Sequence, residues 1–357
     1  MLRLPRFRLE VPRTPVEAAR MMRELGAAEQ DPASVGTVGL KAMLVAGGTD
    51  LFPNMKRRQF TPEVLVSLRR ALDRTIADGA GPAGTDAGPA GSDGGLRIGA
   101  GATLTAVAEH PLVRSRYAAL ATAAGLVSTP QLRNMGTIGG NVALDTRCNW
   151  YDQSEFWRTA EGFCMKTHPG VVCRVATSSP RCLAVASADT VPALIALGAT
   201  ARVTGVDGER AVAVADLYRE DGIRYIAIGR DEIVTEVLLP PSDGWRSTYL
   251  KLRDRGSFDF PIVGLAAAVR WDGGRVAEAR VALTAIASRP LLVDAARAPL
   301  VGSRLEDGAI AAAAEATFKA ARPMDNTAGT IAQRTRTVSV FATRALRELR
   351  DTAARAA

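Results

Sequence analysis

The sequence predicts an α+β chain of two domains, a larger one mixing strands and helices and a smaller one, α+β in character, behind it. Three observations lead there. At 357 residues, 37.6 kDa and 47% hydrophobic side chains, the chain holds more than one core needs. A paired-glycine turn occurs twice in the N-terminal half, at Gly47-Gly48 behind a short apolar strand and again at Gly139-Gly140. Pro240-Pro241 then interrupts the chain, and the segment beyond it changes to alternating strands and two long helical stretches. The domains are therefore placed at 1–242 and 243–357.

Thr14 to Leu25 carries apolar residues at helical spacing behind a Thr-Pro start, and Ala42 to Ala46 is a short apolar strand running into Gly47-Gly48-Thr49-Asp50. Val64 to Leu68 is a second strand. Asp78 to Gly95 is almost wholly Gly, Ala, Pro, Asp, Ser and Thr, a composition that cannot pack a core and predicts an exposed loop. Leu96 to Gly99 resumes as a strand, and a helical region led by Thr103 continues to about Ala124. After the turn Gly136-Thr137-Ile138-Gly139-Gly140-Asn141 comes a segment rich in cysteine and aromatic residues, closed by a buried apolar helix over Ala188 to Ala196 and a strand over Thr200 to Thr204. Beyond the proline pair, Thr248 to Leu252 and Val276 to Thr284 alternate as antiparallel strands, and Ile310 to Ala321 and Ile331 to Leu349 read as helices.

The formal charge is +8 and the pI about 9.7, which favours acidic partners in general. The basic residues are dispersed, without zinc-finger spacing, RNA-binding aromatic motif or dense basic tract, so nucleic acid is not an expected partner. With two histidines, His110 and His168, a multi-histidine metal site within the chain is impossible. Charged residues recur before any apolar run long enough for a signal-peptide core or a membrane span, so no membrane association and a cytoplasmic location are expected.

Each paired-glycine turn lets backbone N–H groups face an anion without interference from a Cβ. Neither is a Walker loop, and neither has the Gly-x-Gly-x-x-Gly of a dinucleotide-binding strand. The second adds a hydroxyl and a carboxamide that can hydrogen-bond phosphate or ribityl oxygens. Two such turns together suit a ligand with two phosphates and an extended sugar chain.

All four cysteines, Cys148, Cys164, Cys173 and Cys182, crowd into a stretch of 35 residues. In a reducing compartment such a quartet binds metal more readily than it forms disulfides. No Cys-x-x-Cys pair is present, which weighs against structural zinc without excluding it, and an iron–sulfur cluster suits the same thiolates equally. Arg147, Lys166, Arg174 and Arg181 lie nearby in sequence and could offset their charge.

Taken in order, Ala46-Gly47-Gly48-Thr49-Asp50-Leu51, Ile98-Gly99-Ala100-Gly101-Ala102-Thr103 and Thr137-Ile138-Gly139-Gly140-Asn141 resemble the FAD-binding subunit of the xanthine oxidase family of molybdenum hydroxylases. Ser187-Ala188-Asp189 is similar to the segment that approaches the flavin in that family, and Lys251-Leu252-Arg253 with Phe260-Pro261 to the start of its second domain. The resemblance implies a two-lobed FAD-binding domain, here with an inserted iron–sulfur loop over about 146–185, followed by a smaller α/β C-terminal domain. Most family members join the Gly-Gly-Asn turn to that aspartate by a short connection. Here Asp145-Thr146-Arg147-Cys148, Tyr151 to Arg158, Gly162-Phe163-Cys164, Cys173 and Arg181-Cys182 fill a longer interval, which resembles the extra cluster loop of 4-hydroxybenzoyl-CoA reductase beta subunits.

That resemblance, and not the spacing, implies a [4Fe–4S] cluster held by Cys148, Cys164, Cys173 and Cys182. It also implies FAD contacts at Val45, Ala46, Gly47, Gly48, Thr49, Asp50 and Leu51, at Thr103, at Gly136, Thr137, Gly139, Gly140 and Asn141, and at Asp189 and Lys251, with no catalytic residue in this chain. The implied partners are a molybdenum-cofactor subunit and a [2Fe–2S] subunit in a dimer of heterotrimers, with ferredoxin or a similar low-potential donor. The implied reaction, in the molybdenum subunit, is reductive dehydroxylation of 4-hydroxybenzoyl-CoA to benzoyl-CoA. A hydroxylase or dehydrogenase for another aromatic or CoA substrate fits the same flavin chain, and a zinc-stapled binding module is the alternative from a different class.

Overall fold

The computed structural model describes residues 2–78 and 95–356, whose strands gather into three sheets. Strands β1 (Arg8–Glu10), β2 (Ala42–Val45) and β3 (Val64–Ser67) form a small parallel sheet in the order β1-β3-β2. Parallel strands of one sheet need crossovers, and helix Pro15–Glu24 supplies the one from β1 to β2. Thr14 starts that helix by accepting a hydrogen bond from the Glu17 N–H at 3.1 Å, and Ala18, Ala19 and Met22 form its buried face.

The second sheet is antiparallel, with β4 (Ile76–Asp78), β5 (Leu96–Gly99), β6 (Thr200–Gly205), β7 (Gly208–Ala213) and β8 (Ile233–Leu239) in the order β4-β5-β8-β6-β7. Helix Thr190–Leu197 is buried along its whole length, as its unbroken apolar sequence requires. These two sheets are the two lobes of the larger domain. The interior of the segment expected to be an exposed loop, residues 79–94, lies outside the described residues, while Asp78 ends β4.

The third sheet builds the C-terminal domain from β9 (Trp245–Leu252), β10 (Val263–Asp272), β11 (Arg275–Thr284) and β12 (Leu291–Leu292), in the order β12-β11-β10-β9. Gly273 and Gly274, at φ 54° and 74°, turn the β10–β11 hairpin in the left-handed region that two-residue hairpin loops need. Helices Asp307–Ala320 and Ile331–Ala356 pack on this sheet and on each other.

Two local expectations change. The helical region behind Thr103 is three short helices, Leu104–Glu109, Pro111–Arg116 and Ala118–Gly125. Pro111 forces His110 into extended backbone, φ −63° and ψ 127°, which breaks the first helix from the second. The cysteine insertion contains a helix of its own, Glu155–Glu161, started by the Ser154 hydroxyl accepting from the Trp157 N–H at 3.2 Å.

The C-terminal domain clamps the ends of that insertion. The Ala285 and Ala186 N–H groups donate across the domain boundary, to Ala186 O at 2.8 Å and Ala287 O at 3.0 Å, and the Asn149 N–H donates to Asn326 O at 2.8 Å. Buried Arg334 holds the Asn326 loop by donating to Met324 O at 2.6 Å and Asn326 Oδ1 at 3.3 Å. Among the described residues no helix is long and apolar enough to cross a membrane.

Candidate cofactor sites

The two glycine turns meet across a cavity of about 370 Å³, within the size range of cofactor sites. Val45, Ala46, Gly47, Gly48, Thr49, Asp50 and Leu51 line one side, and Gly136, Thr137, Gly139, Gly140 and Asn141 line another. Their approach is backbone to backbone. A Cβ on Gly47 would overlap the Met135 carbonyl oxygen and lie 2.7 Å from its carbon, and a Cβ on Gly139 would lie 2.7 Å from that of Ala100. Gly48 sits at φ 70°, where a side chain would also run into the Phe52 ring.

The second turn is not a free loop. Residues Ile138–Val142 form a short helix with Thr137 at its start, the Thr137 Oγ1 accepting from the Gly140 N–H at 3.1 Å. Tyr218 and Tyr225 secure the other end by donating to Val142 O at 2.8 Å and Ala143 O at 2.9 Å. Asn141 Oδ1 accepts from Thr190 N at 3.2 Å and from Thr190 Oγ1 at 2.6 Å, so its carbonyl starts helix Thr190–Leu197 and its amide N–H groups remain for a ligand.

Thr103, Asp189 and Lys251, the other expected cofactor contacts, do not line this cavity. The Thr103 hydroxyl starts helix Leu104–Glu109, accepting from the Ala106 N–H at 3.2 Å, and its backbone bridges to Thr137. Asp189 and Lys251 form a buried pair at 2.9 Å. Tyr249 donates to Asp189 at 2.7 Å, and Lys251 also donates to Leu126 O at 3.0 Å. Burial pushes the Asp189 carboxyl up, opposed by the Lys251 charge, and pushes the Lys251 amine down. The pair joins β9 of the second domain to the first and supports the cavity wall from behind.

Residues not anticipated complete the lining. The segment from Ile223 to Val234 supplies Tyr225, Ile228, Gly229 and Arg230, and Phe260 arrives from the second domain. Arg230 is the one cation among the described lining residues. It donates to Ala42 O at 2.8 Å while its Nε, buried, has no partner. Nothing in the local sequence marks Arg230, because its relation to the glycine turns is set by the strand order of the second sheet.

The four cysteines are free, buried and gathered around one small second cavity, with Trp150, Tyr151, Met165, Lys166, Arg174, Val175 and Ala184. Burial pushes the Cys148 and Cys182 thiols up to about 12, so as bare thiols they are inert at neutral pH. Ligation would replace those protons by metal. Among the described residues no three His, Cys, Asp or Glu side chains close on a point that could hold one metal ion. A single zinc ion needs sulfurs roughly 3.8 Å apart, from Zn–S bonds of about 2.3 Å in a tetrahedron. In a polynuclear cluster each thiolate binds its own iron, which a wider ring of sulfurs accommodates. Four thiols and no carboxylate are the donor set of structural zinc sites and of iron–sulfur clusters alike.

The wall between the two cavities is short. Asp145 lines the first and Cys148 the second. Between them Arg147 turns its guanidinium back to Asp50 and over the Phe260 ring, 4.4 Å from its centroid, both in the first cavity's lining.

Residues 12–242 match the family described as FAD binding domain in molybdopterin dehydrogenase, and residues 247–349 match the CO dehydrogenase flavoprotein C-terminal domain. The chain is an FAD-binding subunit of the xanthine oxidase family of molybdenum enzymes. This subunit is 33% identical over 274 residues to the aldehyde oxidoreductase FAD-binding subunit PaoB of Escherichia coli (strain K12), covering 72% of this chain and 79% of that one. It is 28% identical over 347 residues to the carbon monoxide dehydrogenase medium chain of Hydrogenophaga pseudoflava, covering 96% of each. Among solved structures, carbon monoxide dehydrogenase from Hydrogenophaga pseudoflava lacking the Mo-pyranopterin moiety superposes with a TM-score of 0.73 at 26% identity, over 97% of both chains. The two-domain mixed fold and the FAD-binding role expected from the sequence stand on these matches.

Proposed function

We propose that this subunit holds a [4Fe–4S] cluster on Cys148, Cys164, Cys173 and Cys182 beside its FAD, and serves a molybdenum-containing reductase that converts 4-hydroxybenzoyl-CoA to benzoyl-CoA. The observation that carries the proposal is the convergence of four cysteines from one insertion on a buried cavity that shares a wall with the flavin cavity. When bound, the two cofactors supply electron relay between a low-potential protein donor of the ferredoxin type and the partner subunits.

The chain's own residues bind and hold. Gly47, Gly48, Gly139 and Gly140 give the FAD diphosphate access to backbone, Arg230 offers it a cation, and Thr49, Thr137 and Asn141 offer hydrogen bonds. Val45, Ala46, Asp50, Leu51 and Gly136 shape the same walls, while Thr103, Asp189 and Lys251 act behind them. Residues 1–242 form the flavin domain and 243–357 the smaller one. Relatives named as a medium chain or an FAD-binding subunit are each one chain of an assembly, which supports partner subunits for this chain. On this reading these are a molybdenum-cofactor subunit and a [2Fe–2S] subunit, in a dimer of heterotrimers in the cytoplasm.

A second reading keeps the flavin and changes the reaction. The relatives' names speak of aldehyde, carbon monoxide and nicotinate, which favours a dehydrogenase or hydroxylase for a different substrate. The purified three-subunit complex, supplied with a strong reductant, is expected to form benzoyl-CoA from 4-hydroxybenzoyl-CoA. No turnover of that thioester, with oxidation of an aldehyde or an N-heteroaromatic compound instead, rejects the reductase.

Cys164→Ser is expected to lose most cluster iron and sulfide while FAD per chain stays as in the natural protein, because the flavin cavity takes no lining residue from the 146–185 insertion. Anaerobic iron, sulfide and flavin analysis reads this directly. Zinc without iron in the natural chain, or parallel loss of both cofactors in the variant, contradicts it.

A further inference from the structure

Lys166 is a lysine with a side chain only 1% exposed, and it belongs to the cysteine insertion. Its ammonium has three partners, Asp145 Oδ1 at 2.7 Å, Thr146 O at 3.1 Å and Thr146 Oγ1 at 2.6 Å, which fill its three donors and fix its place. It lies 4.4 Å from the centroid of the Tyr151 ring, whose hydroxyl donates to the other oxygen of Asp145 at 3.1 Å. The two members of the pair face different cavities: Lys166 lines the cysteine cavity, and Asp145 lines the flavin cavity.

We infer that the Lys166–Asp145 pair is an oriented charge pair in the wall between the two redox sites, its positive end raising the potential of the cluster and its negative end lowering that of the flavin. This rests on the cluster reading given above. A buried charge acts through low-dielectric protein and is little screened by salt, so a fixed cation beside four thiolates favours the added electron. The same pair presents a carboxylate to the flavin and disfavours added negative charge there. Lys166 shares the lining of that small cavity with all four cysteines, which sets its charge beside the sulfurs.

Other charges near the cysteines are placed differently. Arg174 also lines the cavity, but it is half-buried over the Trp150 ring, 4.7 Å from its centroid, where water screens it. Arg147 is committed to Asp50 and Asp152, and Arg158 donates to the carbonyls of Arg57 at 2.8 Å and Arg58 at 3.0 Å.

The test is a redox titration of the anaerobically purified full-length chain, with the cluster followed by electron paramagnetic resonance and the flavin by absorbance. Lys166→Met is expected to move the cluster to a more negative midpoint, Lys166→Arg to leave it near the natural value, and Asp145→Asn to move the flavin to a more positive one. If Lys166→Met loses its iron while Lys166→Arg keeps it, the charge requirement is supported. Equal iron loss in both variants overturns the inference, as do unmoved midpoints at natural iron and FAD content. A natural chain without iron and sulfide overturns the cluster reading itself, an outcome separate from unmoved midpoints.

Discussion

Lys251→Met is expected to destabilise the protein by about 3–5 kcal/mol at neutral pH, the usual cost of leaving one buried charge without its partner. Methionine keeps most of the apolar stem of the lysine, so the loss is electrostatic and not a packing defect. The variant strands Asp189, whose side chain is 3% exposed, with the Tyr249 hydroxyl as its remaining side-chain donor. Burial already pushes that carboxyl upward, and Lys251 is the largest influence opposing it. Without the lysine, Asp189 takes up a proton in the fold at pH values where the unfolded carboxyl, near 3.9, is ionised. Between those two pKa values the folded state binds more protons than the unfolded one. Stability of the variant is therefore full below about pH 4 and is lost as pH rises toward the folded-state value. Urea midpoints at pH 5 and pH 8 read this: the variant should unfold earlier than the natural protein at both, and by a wider margin at pH 8. Lys251→Met with Asp189→Asn removes both charges and should recover part of the loss. A single variant with the natural midpoint at both pH values would show that the pair is not a buried ion pair.

That pair also shows where sequence reading reaches its limit. Asp189 and Lys251 stand out in sequence because each lies in a family-like segment, and they do meet, yet they meet each other across the domain boundary and not the cavity. The glycine turns were legible because close backbone approach leaves a compositional mark that only glycine satisfies, at Gly47 and Gly139 alike. The cysteines were legible because four of them crowd one insertion. Strand β10 was not, since Val263-Gly264-Leu265-Ala266-Ala267-Ala268-Val269 is buried on both faces and shows no alternation to separate strand from helix. Arg230 and Phe260 reach the cavity from elements far along the chain, and Lys166 turns inward because Asp145 waits there. Such pairings are made by tertiary contact, which local periodicity does not encode.

Gly47→Ala is expected to abolish stable FAD binding, with a loss of about 100-fold or more in affinity. The added methyl would overlap the Met135 carbonyl oxygen and lie 2.7 Å from the carbonyl carbon and 3.0 Å from Gly136 Cα, all of them backbone atoms that no rotamer change can move aside. Relief requires the two turns to separate, and each of them lines the flavin cavity. Overpacking in a dense interior costs about 1–3 kcal/mol even where side chains yield. At about 1.4 kcal/mol per tenfold in affinity, the upper end of that range is about two orders of magnitude. Gly256→Ala is the matched control, since a Cβ there meets nothing within 4 Å. Flavin absorbance per chain after gel filtration should fall to background in the first variant and stay at the natural level in the second. The cysteine cavity is lined by neither turn, so iron and sulfide should persist in Gly47→Ala even as flavin is lost. That is the mirror image of Cys164→Ser, and it makes the separation of the two sites testable from both sides. Full flavin content in Gly47→Ala would mean that the close approach of the turns is not what shapes the FAD site.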